Sequence, residues 1–102
     1  MSENKQNQLN IELDDETAQG IYSNLAVITH SNAEFVIDFI RIMPGAPKAK
    51  VKSRIILSPE HAKRLHKALA DNINKYEAQN GKIRESSQPP FPPMNFTPTA
   101  KA

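Results

Sequence analysis

The chain of 102 residues has no cysteine, no tryptophan, three glycines and six aromatic residues (four Phe and two Tyr). Without cysteine there is no disulfide to staple a small fold and no thiol for catalysis or metal ligation, and a reducing compartment is allowed. The glycines, Gly20, Gly45 and Gly81, are widely separated and cannot form a glycine-rich phosphate loop. Long hydrophobic runs are also lacking. The most apolar stretch, residues 35–43, contains Asp38 and Arg41 and falls far short of the ~20 residues a membrane helix needs. Residues 1–10 are polar and do not read as a secretory signal. The expectation is a soluble, cytoplasmic protein with no membrane partner.

Charge of one sign is scarce in each half. Residues 1–40 carry Lys5 alone against seven acids and sum to −6, whereas residues 41–75 carry nine bases against Glu60 and Asp71 and sum to +7. The formal net charge of +2 therefore hides a basic second half. Such sorting points to a polyanionic partner or to self-association that mates unlike patches.

Catalytic signatures are sparse. His61 and His66 lie five apart, which is not the spacing of two metal ligands on one helix face. Asp14, Asp15 and Glu16 lack the spaced ligands and turn glycine of a calcium loop. Ser23 and Ser31 have no nucleophile-elbow context. No catalytic residue, metal site or cofactor is expected, and the chain reads as a non-enzyme.

What is present is a legible order of elements. Leu9, Ile11 and Leu13 alternate with Asn10 and Glu12, the period of a short strand. Residues 14–17 lead to Gly20 as a turn or single helical turn. Strands are expected at 21–30, 34–43 and 50–57, separated by Ser31-Asn32-Ala33 and by Pro44-Gly45-Ala46-Pro47. These short links force antiparallel neighbours.

A helix should follow. Ser58 is a natural cap, Pro59 suits the first helical position, Glu60 complements the positive end of the dipole, and Gly81 is a stop. Ala62, Leu65, Leu69, Ile73 and Tyr76 form its apolar stripe. On its polar side Lys67 and Asp71 stand four apart, the spacing of a weak ion pair.

The expected fold class is α+β: an antiparallel meander of three or four strands followed by one amphipathic C-terminal helix. One domain is expected over residues 9–82, with disorder at 1–8 and in a proline-rich tail at 83–102. Phe91 and Phe96 of that tail are candidate anchors for a protein partner. The third strand is apolar on both faces, Phe35, Ile37 and Phe39 on one and Val36, Ile40 and Ile42 on the other. A second covering layer, most simply another copy of the chain, is therefore expected.

The block from residue 20 to residue 81 resembles a family of short bacterial proteins known only as a domain of unknown function. EFVIDF (34–39), RIMPG (41–45) and SRIILSPEHAKRL (53–65) carry the resemblance, which brings no activity with it. In layout, VIDFIRI, a turn, a basic strand and ILSPEHAKRLHKAL are also similar to the single-stranded-nucleic-acid-binding domains of transcriptional positive cofactor four and of the PUR and Whirly proteins. That likeness implies dimerisation and binding on the sheet, with Arg41, Lys50, Lys52 and Arg54 at phosphates and Phe35 and Phe39 under bases. Lys48 and the helix cations Lys63, Arg64 and Lys67 extend the candidate surface.

The expectation is a small homo-oligomeric protein that binds single-stranded DNA or RNA without sequence preference. A protein-binding module or SecB-like holdase, or a subunit of a larger assembly, is the alternative.

Overall fold

A computed structural model describes residues 8–85. The chain divides into two units, one ending at Lys63 and one beginning at Arg64. The expected tail anchors, Phe91 and Phe96, lie outside the described residues.

The first unit is built on a three-stranded antiparallel sheet in the order β1 (Leu25–His30), β2 (Phe35–Arg41), β3 (Lys50–Leu57). It is the expected α+β plan with three strands. Residues 9–13 adopt no regular structure, so the alternating segment is not a strand of this sheet. A period of two makes a segment competent to pair but does not supply an edge to pair with.

A single helical turn, α1 (Asp15–Ala18), follows. The Asp14 carboxylate accepts the Thr17 N–H at 2.7 Å, which satisfies one of the turn's free donors. That hydrogen bond holds the Asp14 carboxyl below the usual carboxylate range.

The β1–β2 link is tight. Ser31 N–H donates to the Glu34 carbonyl at 2.9 Å, and Ser31 Oγ accepts from Ala33 N–H at 3.1 Å. In the longer β2–β3 link Gly45 takes a φ of 83°, a conformation that side chains with a Cβ resist.

β1 begins later than the β-branched run from Ile21 implies; just before it Asn24 donates its backbone N–H to the Ile40 carbonyl at 3.0 Å and also pairs through its side chain. Its Nδ2 donates to the Ile42 carbonyl at 3.0 Å and its Oδ1 accepts the Ile42 N–H at 2.8 Å. One amide side chain thus copies a backbone ladder and secures the chain just past Arg41.

The described residues hold few buried side chains: Ile40 and Leu57 are the apolar ones and Asp38 the polar one.

The helix α2 (Pro59–Asn80) spans the division between units and keeps its expected bounds. Ser58 Oγ accepts the His61 N–H at 3.2 Å, the capping arrangement its sequence implies. At the other end Gly81 takes a φ of 87° and donates its N–H to the Glu77 carbonyl at 3.0 Å. The Glu77 carboxylate accepts the Ile83 N–H at 2.9 Å, and Ile83 lines a shallow cleft with Ile73 and Tyr76. Asp71 pairs with Lys75 at 3.3 Å rather than with Lys67. Both bases stand four residues away, and an acid placed N-terminal to its base is the better orientation along a helix.

Candidate nucleic-acid interface

Register decides which cations can act together. Residues directly opposite in an antiparallel pair point to the same side. Phe35 faces Leu57, Ile37 faces Ile55 and Phe39 faces Ser53; then Ile40 faces Val51 and Arg41 faces Lys50. The shift between Phe39 and Ile40 leaves Lys52 as the extra residue of a β-bulge. A bulge changes the parity of everything beyond it. Simple alternation would set Lys50, Lys52 and Arg54 in one row. In the structure Lys50 joins the face of Phe35, Phe39 and Arg41, Lys52 stands in the bulge, and Arg54 lies on the opposite face.

Arg54, expected at a phosphate, is engaged within the sheet. It is directly opposite Asp38, and its Nε and Nη2 donate to the two carboxylate oxygens at 2.6 and 2.8 Å. Asp38 is only 3% exposed and shares its face with Val27, Val36 and Ile40. A carboxylate there is stable only with a close, geometrically matched cation. The hydrogen bonds from Arg54 hold the Asp38 carboxyl below its ordinary value, against the opposing effect of burial. The same contact raises the Arg54 value. This arginine serves the sheet.

The remaining cations of the first unit's sheet gather at one corner. Arg41 and Lys50 are cross-strand neighbours, Lys48 stands just before β3 and Lys52 in the bulge, and all four are exposed. The guanidinium carbon of Arg41 lies 5.9 Å from the centre of the Tyr22 ring, within cation–π range. Tyr22 is exposed, so the pair forms a planar, charged surface open to solvent.

Phe39 lies two residues along β2 from Arg41 on the same face. It borders a shallow cleft with Thr17, Gly20, Ile21, Ser53 and Ile55. Phe35, at the far end of the strand, is stacked on His30 with ring centres 5.3 Å apart. One of its ring faces is therefore already occupied.

Lys63 closes the first unit on α2. Arg64 and Lys67 belong to the second unit, where both are exposed.

Sequence reasoning passed over Asn24 and gave Tyr22 little weight. No periodicity marks either residue. The signal for Asp38 was present: an acid on an otherwise apolar strand face calls for a cation across the ladder.

Among the described residues, no group of three or more His, Cys, Asp or Glu is placed to hold a metal ion. Nor is any helix there long and apolar enough to cross a membrane. The architecture is that of a small α+β protein with a cationic and aromatic sheet corner. The chain belongs to the family described as protein of unknown function (DUF3467), whose model matches residues 1–85. Neither a curated protein nor a solved structure matches the chain.

Proposed function

We propose that this is a non-enzymatic, cytoplasmic nucleic-acid-binding protein that works as a homo-oligomer. It contacts single-stranded DNA or RNA, without sequence preference, through the corner formed by Tyr22, Phe39, Arg41 and Lys50. The observation that carries the reading is the register: Arg41 and Lys50 are direct partners on the aromatic face, with Tyr22 beneath Arg41. Lys48 and Lys52 flank them and extend the positive field. Arginine and lysine neutralise phosphates, and exposed aromatic and guanidinium planes accept bases of any sequence.

Fluorescence anisotropy with a labelled single-stranded oligonucleotide tests it. Four phosphate contacts give a log–log salt slope of about −3, hence a ~50-fold loss of affinity between 50 and 200 mM salt. Absence of salt-sensitive binding at micromolar protein overturns the reading.

A protein-binding role is favoured by a different observation. Ile28, Ile55 and Ile56 of the sheet and Leu65, Leu69, Ile73 and Tyr76 of the helix are all exposed. Apolar surface on this scale is ordinarily covered by a partner. Capture of lysate proteins that persists after nuclease treatment, together with failure of the oligonucleotide titration, selects this reading instead.

A further inference from the structure

Residues 9–13 have a strand's sequence and no strand to join. Leu9, Ile11 and Leu13 are 83, 85 and 69% exposed, and the segment makes no backbone hydrogen bond with any other described residue. The sheet order β1-β2-β3 leaves β3 with an open outer edge. We propose that residues 9–13 of one copy add as a strand to that edge of β3 in a second copy of this chain, reciprocally, so that two copies hold each other by exchanged N-terminal strands. The proposal is independent of nucleic-acid binding.

Charge selects the receiving edge. β3 carries Lys50 and Lys52 besides the Asp38-bound Arg54, whereas Glu12 lies in the incoming segment and Asp14, Asp15 and Glu16 follow it directly. Like charges deter two β3 edges from pairing with each other, and the same charges attract an acidic strand. β1 offers no such complement, because LAVITH contains no lysine or arginine.

Placement agrees with this choice. Thr17, Gly20 and Ile21 share a cleft with Ser53 and Ile55, so the chain preceding β1 crosses the sheet toward β3. Five extended residues span ~17 Å, which fits within the eight residues of β3.

A second copy as the occupant follows from two facts. Residues 9–13 of the same chain make no backbone hydrogen bond with their own β3. The acidic and basic halves are also matched in size, −6 against +7, which suits a self-complementary two-fold contact. Paired this way, alternate residues Leu9, Ile11 and Leu13 face one side of the widened sheet and extend an apolar face that one copy leaves thin.

Hydrogen exchange of the full chain at low and high protein concentration, with light scattering for mass, tests the proposal. The expected result is a dimer in which amides of residues 10–13 and the outward amides of β3 gain protection together as concentration rises. Protection that does not change with concentration in a monomer means pairing within one chain and overturns it. So does a dimer in which residues 10–13 exchange freely, or one in which β1 gains the protection in place of β3.

Ile11→Pro removes a ladder donor from a segment that is highly exposed and makes no backbone hydrogen bond with other described residues in the single copy, so the monomer still folds. It is expected to raise the dimer dissociation constant roughly tenfold or more, while Ile11→Val leaves it unchanged. A proline variant that dimerises as the wild type does overturns the proposal.

Discussion

Asp38 and Arg54 are direct partners across β2 and β3, and the guanidinium grips both oxygens of a carboxylate that is almost wholly buried. The pair is asymmetric: the Arg54 side chain is 55% exposed while that of Asp38 is 4%. The acid depends on the base far more than the base depends on the acid. This one contact ties Arg54 to Asp38 on the face opposite Arg41 and Lys50.

The Asp38 carboxyl titrates lower in the folded chain than in the unfolded one. Its contribution to stability is therefore complete above the unfolded value of about 3.9 and declines as pH falls through the lower folded value. Arg54 is shifted upward by the same pairing, so it stays charged across the range of the measurement and adds no further window. Urea midpoints of wild type and Asp38→Asn should differ at pH 6, and the gap should narrow as pH falls below about 4. A gap that stays constant to pH 2.5 counts against the pairing.

Stability and ligand binding should separate by residue. Arg54→Ala strands a buried carboxylate, so it lowers the urea midpoint yet leaves oligonucleotide affinity within about twofold. Arg41→Ala combined with Lys50→Ala does the reverse. It reduces the magnitude of the salt slope by about 1.4 and changes stability by no more than ~0.5 kcal/mol per site. Equal effects of the two variants on affinity would return Arg54 to the contact surface.

Asn24 is expected to matter more than an exposed polar residue should. Asn24→Ala deletes both side-chain bonds to Ile42 and costs about 1–2 kcal/mol, since each such bond contributes ~0.5–1.5. The signature is local: the Ile42 amide exchanges faster, and amides at the centre of β2 are little affected. Nuclear magnetic resonance with solvent exchange reads both.

The caps of α2 give a third class of variant. Ser58→Ala removes the acceptor for His61 N–H and lowers stability by about 1 kcal/mol. Gly81→Ala meets no atom within 4 Å of an added Cβ, so its cost is that of the positive φ alone, ~1 kcal/mol. Gly81→Asn should cost less, because asparagine tolerates this conformation. Thermal melts followed by circular dichroism at 222 nm rank the three.

Most of the architecture was readable along the chain. α2 carries the bounds that Ser58-Pro59-Glu60 and Gly81 imply, and β3 occupies the expected residues. Capping and turn chemistry act over a few residues, so a linear reading contains what they need. β2 lost its flanks because Glu34 belongs to the turn and the ladder beyond Arg41 is completed by a side chain. Leu9, Ile11 and Leu13 show the other limit: alternation announces a strand but not its neighbour.

The candidate surface was legible in its components and not in its grouping. Composition and order named Arg41, Lys50, Phe35 and Phe39, and an open sheet places all four on one face. A single extra residue at Lys52 parts Lys50 from the side of Arg54 and brings it opposite Arg41, and nothing in KVKSR announces it. Cross-strand partners, Asp38 with Arg54 and Arg41 with Lys50, settle where each cation points, because a bulge inverts the sides of a strand without altering its composition. Local chemistry wrote the elements into the chain; the assignment of charge to a face arose from contacts between strands, where one slipped hydrogen bond outweighs the identity of every side chain it carries.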